Sequence, residues 1–207
     1  MSNTFSIKES FQFAWKTFTS RPWFLIAVFL VLGVFVSITS SILQPSEGGN
    51  ILFFLISVII NVVIDMGLIT FALAAHENVQ SVGWKTLWAP QKFWKFLAAS
   101  VMVAGIVIVG LILLVVPGII AALGLMFTKY LIIDTDLGPV EALKESWSMT
   151  KKHLGHLFLL VLALIAINIA GAIAFLVGLL VTVPLSMLAV AHVYRALRHA
   201  SSEVVAS

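Results

Sequence analysis

One stretch, residues 93–133, decides the fold: FWKFLAASVMVAGIVIVGLILLVVPGIIAALGLMFTKYLII. It has 41 residues and is apolar almost throughout. A helix that crosses a membrane needs roughly 20 such residues, because the hydrocarbon layer is about 30 Å thick and each helical residue rises about 1.5 Å. The stretch is therefore long enough for two spans, and Pro117-Gly118 predicts the turn between them.

The same length test predicts six spans in the whole chain. A second apolar run, 154–194, again holds two helices, with Gly178 near the turn and Pro184 either in that turn or one helical turn beyond it. Two separate runs nearer the N-terminus hold one span each. The predicted spans are 22–42, 51–75, 93–116, 117–133, 154–177 and 179–195.

The composition agrees with a membrane protein and excludes a soluble one. Hydrophobic residues make up 61% of the chain and charged residues only 10%, whereas soluble domains are about half apolar and about a quarter charged. We predict an all-α, polytopic fold with a single integral membrane domain over residues 1–207. The polar stretches are too short for a soluble catalytic domain, and the absence of cysteine excludes disulfides.

Three amphipathic segments, 5–19, 82–90 and 139–152, are too short to span and are predicted to lie at the membrane interface. The words Trp15-Lys16-Thr17 recur as Trp84-Lys85-Thr86. This layout is consistent with three repeats, each an interfacial helix followed by a helical hairpin. The alternative is that Trp and Lys recur simply because both are common at membrane interfaces.

The basic residues predict the orientation of the chain. All 12 Lys and Arg residues fall on one side of the predicted spans, and that side is cytoplasmic by the positive-inside rule. We therefore expect a multi-pass protein of a cytoplasmic membrane with both termini in the cytoplasm. The net charge of +3 is then explained by orientation and anionic lipid, and nucleic acid is not an expected partner.

Asp65 is the most informative polar residue, because it lies near the middle of the second span, with Asn61 one turn before it. A carboxylate at that depth is costly unless it is paired, hydrated or protonated. It is either part of a transport pathway or part of a polar knot between helices, satisfied by Asn168 or a backbone group. We favour the knot, and expect Lys129 to extend toward the interface instead of pairing with Asp65.

Other polar residues give weaker signals. Lys151, Lys152, Arg195 and Arg198 are candidate contacts for anionic lipid head groups. His153 and His156 are spaced three apart on one helix, but no third ligand accompanies them, so no metal site is predicted. No cofactor motif, phosphate loop or nucleophile elbow is present in the sequence.

The chain resembles a known family over its whole length, most clearly over residues 115–158. The residues that carry the resemblance are Pro117-Gly118, Tyr130, the acidic loop 134–136, Glu141-Ala142-Leu143 and Ser146-Trp147. This pattern resembles a broad family of six-span bacterial inner-membrane proteins, which includes the membrane domain fused to some glycerophosphodiester phosphodiesterases. The resemblance implies the six-span fold; it implies no phosphodiesterase activity, because the catalytic domain is absent from this sequence.

These observations favour a protein that is not an enzyme. The sequence-based prediction is a scaffold or lipid-organising protein that holds the bilayer and its anionic head groups. The alternative is a small-solute or ion transporter that uses a polar site at Asn61 and Asp65. The predicted partners also include a second copy of the chain in a homo-oligomer, or another membrane protein.

Overall fold

The computed structural model describes residues 5–42, 51–87, 90–174 and 177–206, and all regular elements within them are helical. Six segments are long and apolar enough to cross a membrane, as the apolar runs predict. They are Pro22–Thr39, Ile51–Asn78, Phe93–Leu113, Val115–Asp134, Leu154–Ile173 and Leu179–Ser201. The predicted loop at 43–50 lies outside the described residues, as do two residues of the turn before the last span, 175–176.

The α-helices follow one another in the order expected for interfacial segments and hairpins. They are α1 (Ile7–Ser20), α2 (Pro22–Ile42), α3 (Ile51–Asn78), α4 (Phe93–Leu113), α5 (Val115–Gly124), α6 (Thr128–Asp134), α7 (Pro139–Thr150), α8 (Leu154–Ile173) and α9 (Leu179–Ala206).

Local chemistry explains where the two short amphipathic helices begin. The Ser6 hydroxyl accepts a hydrogen bond from the Glu9 backbone N–H at 3.5 Å and starts α1. In α7, Pro139 occupies the first turn, and the Glu141 carboxylate accepts the Gly138 N–H at 2.8 Å. Both acidic residues also lie where the helix dipole favours negative charge.

The structure differs from the prediction at 82–90, where an α-helix was expected. The chain forms two 3₁₀ turns, Trp84–Leu87 and Pro90–Lys92, and positions 88 and 89 lie outside the described residues. Pro90 explains the difference, because proline has no N–H to donate and disfavours helical backbone in the residue before it. The middle unit therefore departs from the helix-plus-hairpin repeat.

The turn between the third and fourth spans also differs from the prediction in detail. The chain turns at Leu114, whose backbone is extended, while Pro117 lies within the first turn of α5, where its missing N–H costs little. A Cβ placed on Gly110 would lie 2.9 Å from the Cα of Gly118, so these two glycines allow α4 and α5 to approach closely. In the last hairpin, Pro184 lies inside α9, about one helical turn after its start, which is the second of the two places predicted for it.

The fourth span is not a continuous helix. The predicted span 117–133 is divided into α5 and α6, with a tight turn between Gly124 and Thr128. The break leaves the Gly124 carbonyl without a helical partner, and the hydroxyls of Ser146 and Thr150 donate to it at 2.9 Å and 2.8 Å. Helix α7 therefore satisfies the backbone of the broken span, as an apolar environment requires.

Buried side chains concentrate at one end of the bundle, which we call the basic end: α1, the α3–α4 connection, α7 and the last turns of α9. Large buried apolar residues there include Phe18, Leu25, Phe71, Phe96, Phe127, Leu131, Leu157, Leu188 and Tyr194. The opposite halves of α2, α4 and α8 expose large apolar side chains, among them Ile38, Ile112 and Ile173. Such a surface suits contact with lipid.

Helix α1 packs against α9, so the first and last helices lie side by side. Its small residues Ser10 and Ala14 are fully buried. The Phe13 ring stacks on both His76 and His192, with centroids 4.5 Å and 4.6 Å away. This contact also joins α1 to the end of α3.

An ionic cluster ties α3, α6 and α9 together at the basic end. Asp134 pairs with Arg198 at 2.5 Å and with Arg195 at 3.0 Å, and it accepts the Tyr194 hydroxyl at 2.8 Å. Arg195 also pairs with Glu77 at 2.5 Å. We call these five residues the Asp134 cluster. The side chain of Asp134 is only 13% exposed.

The contact between Gly124 and Trp147 gives a stability test. A Cβ at Gly124 would collide with the Trp147 indole ring, so Gly124→Ala should destabilise the protein by about 1–3 kcal/mol through overpacking. Thermal unfolding of the detergent-solubilised protein, followed by size-exclusion chromatography, measures the loss.

The matched control is Gly105→Ala on α4, where nothing lies within 4 Å. That change should leave stability unchanged or raise it slightly, because alanine favours helix over glycine. Adding Trp147→Leu to Gly124→Ala should recover part of the loss. Equal melting temperatures for Gly124→Ala and Gly105→Ala would contradict the packing described here.

Candidate functional site

The central polar feature is an ion pair between Asp65 of α3 and Lys129 of α6. The Lys129 Nζ lies 2.5 Å from the Asp65 Oδ2. The prediction that Lys129 extends to the interface is therefore wrong, because the Asp65 carboxylate offers it a stronger partner than the interface does. Asp65 lies near the midpoint of α3, so the pair sits deep within the spanning segments.

The break in the fourth span positions Lys129. Measured from the Asp134 cluster, Asp65 is about 18 Å along α3 and Lys129 about 7.5 Å along α6, at about 1.5 Å per residue. The lysine side chain therefore extends from α6 away from the basic end to reach the carboxylate. Its ammonium also lies 5.8 Å from the centre of the Phe96 ring, a favourable cation–π distance.

Two clefts meet at this pair. The first, of about 390 Å³, has polar lining residues besides the pair, whereas the second, of about 480 Å³, is mostly apolar. The first is lined by Asn61, Val62, Ile64, Asp65, Leu68, Ser100 and Lys129. The second is lined by Asp65, Leu68, Ile69, Val103, Leu125, Met126, Lys129, Tyr130 and Met187.

The charged groups remain accessible from the clefts. The side chains of Asp65 and Lys129 are 41% and 32% exposed. In the same cleft, the Ser100 hydroxyl oxygen is shielded and has no hydrogen-bond partner among the described residues. Asn61 lines the cleft and donates to the Ser57 carbonyl at 2.8 Å. Asn61 and Asp65 therefore share a site, as their spacing on α3 predicts.

Asn168 is not part of this site. It was expected to satisfy Asp65, but its amide donates to the Leu164 carbonyl and to the Ser186 hydroxyl, each at 2.8 Å. This contact joins α8 to α9 as a separate polar link. The Asp65 carboxylate pairs with Lys129 instead, because an ionised donor makes a stronger hydrogen bond than a neutral amide.

The predicted lipid contacts divide into two groups. Arg195 and Arg198 belong to the Asp134 cluster, so carboxylates already neutralise them and their assignment as lipid contacts is not supported by their geometry. Lys151 and Lys152 are exposed at the end of α7. Only the two lysines keep the arrangement expected of a head-group contact.

Sequence reasoning missed a structural role for several basic residues. The Arg21 guanidinium donates to the carbonyls of Val79, Gln80 and Val82 at 3.0–3.2 Å. Lys92 donates to the carbonyls of Ile133 and Thr135, both at 2.8 Å. Basic residues here satisfy backbone groups at the ends of spans. A count of charges per side cannot reveal this role.

A second ion pair, which is exposed, joins α4 to the loop after α6. Lys95 lies 2.8 Å from Asp136, whose side chain is 93% exposed. The hydrogen bond and charge of Lys95 lower the pKa of the Asp136 carboxyl. Both pairs join a lysine to an aspartate, but this one lies outside the clefts. Substitutions in it therefore serve as controls for substitutions at Asp65 and Lys129.

His153 and His156, whose spacing suggested a metal pair, lie near the Phe5 ring, and Lys152 is close to His153. The Phe5 ring makes edge contacts with His153 and His156, with centroids 6.3 Å apart in each case. Burial lowers the pKa of His153, and the neighbouring His156 and Lys152 lower it further. Within the described residues no group of three or more His, Cys, Asp or Glu could hold a metal ion.

Fold and site together define a polytopic, all-helical membrane protein with a charged pair in its interior. Residues 43–207 match the model of a domain of unknown function, DUF7847, and the chain belongs to that family. No curated protein and no solved structure matches the chain. The expected link to the membrane domains of glycerophosphodiester phosphodiesterases is not shown by these matches.

Water access to the first cleft can be measured directly, because the chain has no native cysteine. Asn61→Cys and Ile64→Cys, both at positions that line the first cleft, should react with a charged, membrane-impermeant methanethiosulfonate reagent, since only a hydrated thiol ionises to the reactive thiolate. Labelling of each variant in native membranes is read by mass shift.

The control is Ile108→Cys on α4, a position whose side chain is 55% exposed on the apolar surface. We expect at least tenfold slower labelling there, because a thiol in lipid stays protonated. Equal, slow labelling at all three positions would show that the cleft is dry.

Proposed function

We propose that this chain is a transporter of small solutes or ions, linked to proton movement at Asp65. The observation that carries the proposal is the partial exposure of Asp65 and Lys129 to clefts in the middle of the spanning segments. This reading replaces the scaffold as the preferred function.

Exposure argues against a purely structural knot. A knot gains from burial between helices, where both charges are shielded from lipid. Charges left open to hydrocarbon would cost several kcal/mol. The open sides of this pair therefore need water, an ion or a polar solute. Asn61, which is exposed in the same cleft, offers such an occupant a further polar contact.

The broken fourth span adds a second argument. Interrupted helices are tolerated in a membrane only where the freed backbone is satisfied or lines a cavity, and they recur at the binding sites of transporters. Here the break lies beside the second cleft, which Leu125 and Met126 line.

Proton linkage follows from the chemistry of the pair. A proton that binds the Asp65 carboxylate removes its charge and weakens its attraction to the Lys129 ammonium. The pair can then separate while a solute or ion passes, and it re-forms when the proton leaves. Non-enzymatic action in a cytoplasmic membrane, with the basic end in the cytoplasm, belongs to the same proposal.

Proton flux tests the proposal. The protein is reconstituted into liposomes that contain the pH dye pyranine, and a potassium diffusion potential drives protons inward. We expect a protein-dependent rate that Asp65→Asn lowers at least tenfold, because an amide cannot carry a proton. Asp136→Asn, which alters the exposed pair with Lys95, should stay within twofold of the wild type.

Two results would contradict transport. One is a wild-type rate equal to that of protein-free liposomes. The other is an unchanged rate in Asp65→Asn when size-exclusion chromatography shows that the variant is folded.

Lipid organisation remains a second candidate because of a belt of aromatic residues. Five tryptophans near the basic end are 41–82% exposed: Trp15, Trp23, Trp84, Trp94 and Trp147. Tryptophan favours the level of the head groups. Lys151 and Lys152 lie close behind Trp147 in sequence and supply positive charge for anionic lipid.

Native mass spectrometry tests this second candidate. If α7 holds anionic lipid, Lys151→Ala with Lys152→Ala should remove most of the phosphatidylglycerol that co-purifies with the wild type. Lys8→Ala with Lys16→Ala on α1 is the charge-matched control and should keep it. Equal retention in both double variants would contradict a specific head-group contact at α7.

A further inference from the structure

We infer that the site at Asp65 and Lys129 takes a zwitterionic ligand with an apolar substituent. The inference rests on the proposed function and names the chemistry of its solute. The two clefts that meet at one ion pair, one with polar lining residues and one mostly apolar, carry it.

The charge of the ligand follows from the pair itself. A ligand that enters between the Asp65 carboxylate and the Lys129 ammonium must replace the partner that each one loses, because a charge left unpaired away from water is costly. While Asp65 is ionised, a cation alone would leave Lys129 without a partner, and an anion alone would leave Asp65 without one. A ligand with one ammonium and one acidic group replaces both.

The spacing of charges on the ligand is short. The Nζ and Oδ2 atoms lie 2.5 Å apart, so both groups of the ligand must fit near one point where the clefts meet. An α-amino carboxylic acid meets this requirement, and so does a phosphoethanolamine group, whose ammonium and phosphate are joined by two carbons. Both share the same chemistry.

The lining residues orient the ligand. Asn61 lies exposed in the first cleft, where its amide can donate to an acidic group. Leu125, Met126 and Met187 line the second cleft and suit an apolar substituent. Its volume of about 480 Å³ falls within the range of about 300–1,000 Å³ of small-molecule sites. Methionines adapt to several substituent shapes.

Binding of tritiated leucine tests the charge requirement. The protein is placed in nanodiscs of phosphatidylglycerol, a lipid without an ammonium group, and binding is followed by scintillation proximity. Unlabelled leucine should displace the label. Leucinamide, which lacks the carboxylate, and 4-methylpentanoate, which lacks the ammonium, should each compete at least tenfold less well.

Variants separate the charged part of the site from the apolar part. Lys129→Met should abolish leucine binding, whereas Lys95→Met, which removes the lysine of the exposed pair, should not. Met187→Trp leaves both charges in place and fills the apolar cleft. It should weaken leucine binding at least tenfold while glycine, which has no side chain to place there, still competes.

A further experiment with a lipid distinguishes a free amino acid from a phosphoethanolamine head group as the ligand. Lysophosphatidylethanolamine that displaces leucine, with no leucine counterflow in proteoliposomes, would assign the site to a lipid head group. Counterflow of leucine would assign it to a free amino acid. Both results support a zwitterion site.

Other outcomes overturn the inference. They are no saturable leucine binding by folded wild-type protein, or competition by leucinamide or 4-methylpentanoate as strong as that by leucine. A proton flux that needs Asp65, found together with no leucine binding, would overturn the ligand class and leave the proposed function standing. Leucine binding without any proton flux or leucine counterflow would support the ligand class and overturn the proposed transport function.

Discussion

The rest of the structure depends on one constraint: hydrocarbon offers no hydrogen bonds, so polar groups within the spans must find partners in the protein. The Gly124 carbonyl, freed by the break in the fourth span, is satisfied by hydroxyls from α7. That break in turn sets where α6 begins and lets Lys129 reach Asp65. A short amphipathic helix, α7, thus helps to place a charge near the middle of the bundle.

The number and approximate place of the spans could be predicted, because the length of an apolar run is itself the physical requirement for crossing a membrane. The break at 125–127 could not, since Leu125, Met126 and Phe127 are as apolar as their neighbours. Its signal lay elsewhere, in Ser146 and Thr150, whose hydroxyls face a distant backbone group. At 82–90 the amphipathic pattern predicted a helix, whereas Pro90 was a local signal against one. The structure follows the proline.

Half of the site could be predicted for a similar reason. Asp65 stands out because a carboxylate in an apolar run is expensive, and Asn61 follows from helical spacing. The partner was not predicted: the sequence offered Asn168 or a backbone group and placed Lys129 at the interface, whereas the tertiary arrangement decides the contact. Arg195 and Arg198 were assigned to lipid on charge alone, but Asp134 and Glu77, acidic residues distant in sequence, approach them in the folded chain.

The packing of α1 against α9 has a consequence for how the protein is made. In chain order α1 precedes α2 to α8 and α9 follows them, so α1 lacks a large part of its docking surface until α9 is in place. Before that, Phe13 can contact His76 of α3 but lacks its second partner, His192 of α9. Insertion of α9 is therefore the step that fixes α1 against the bundle.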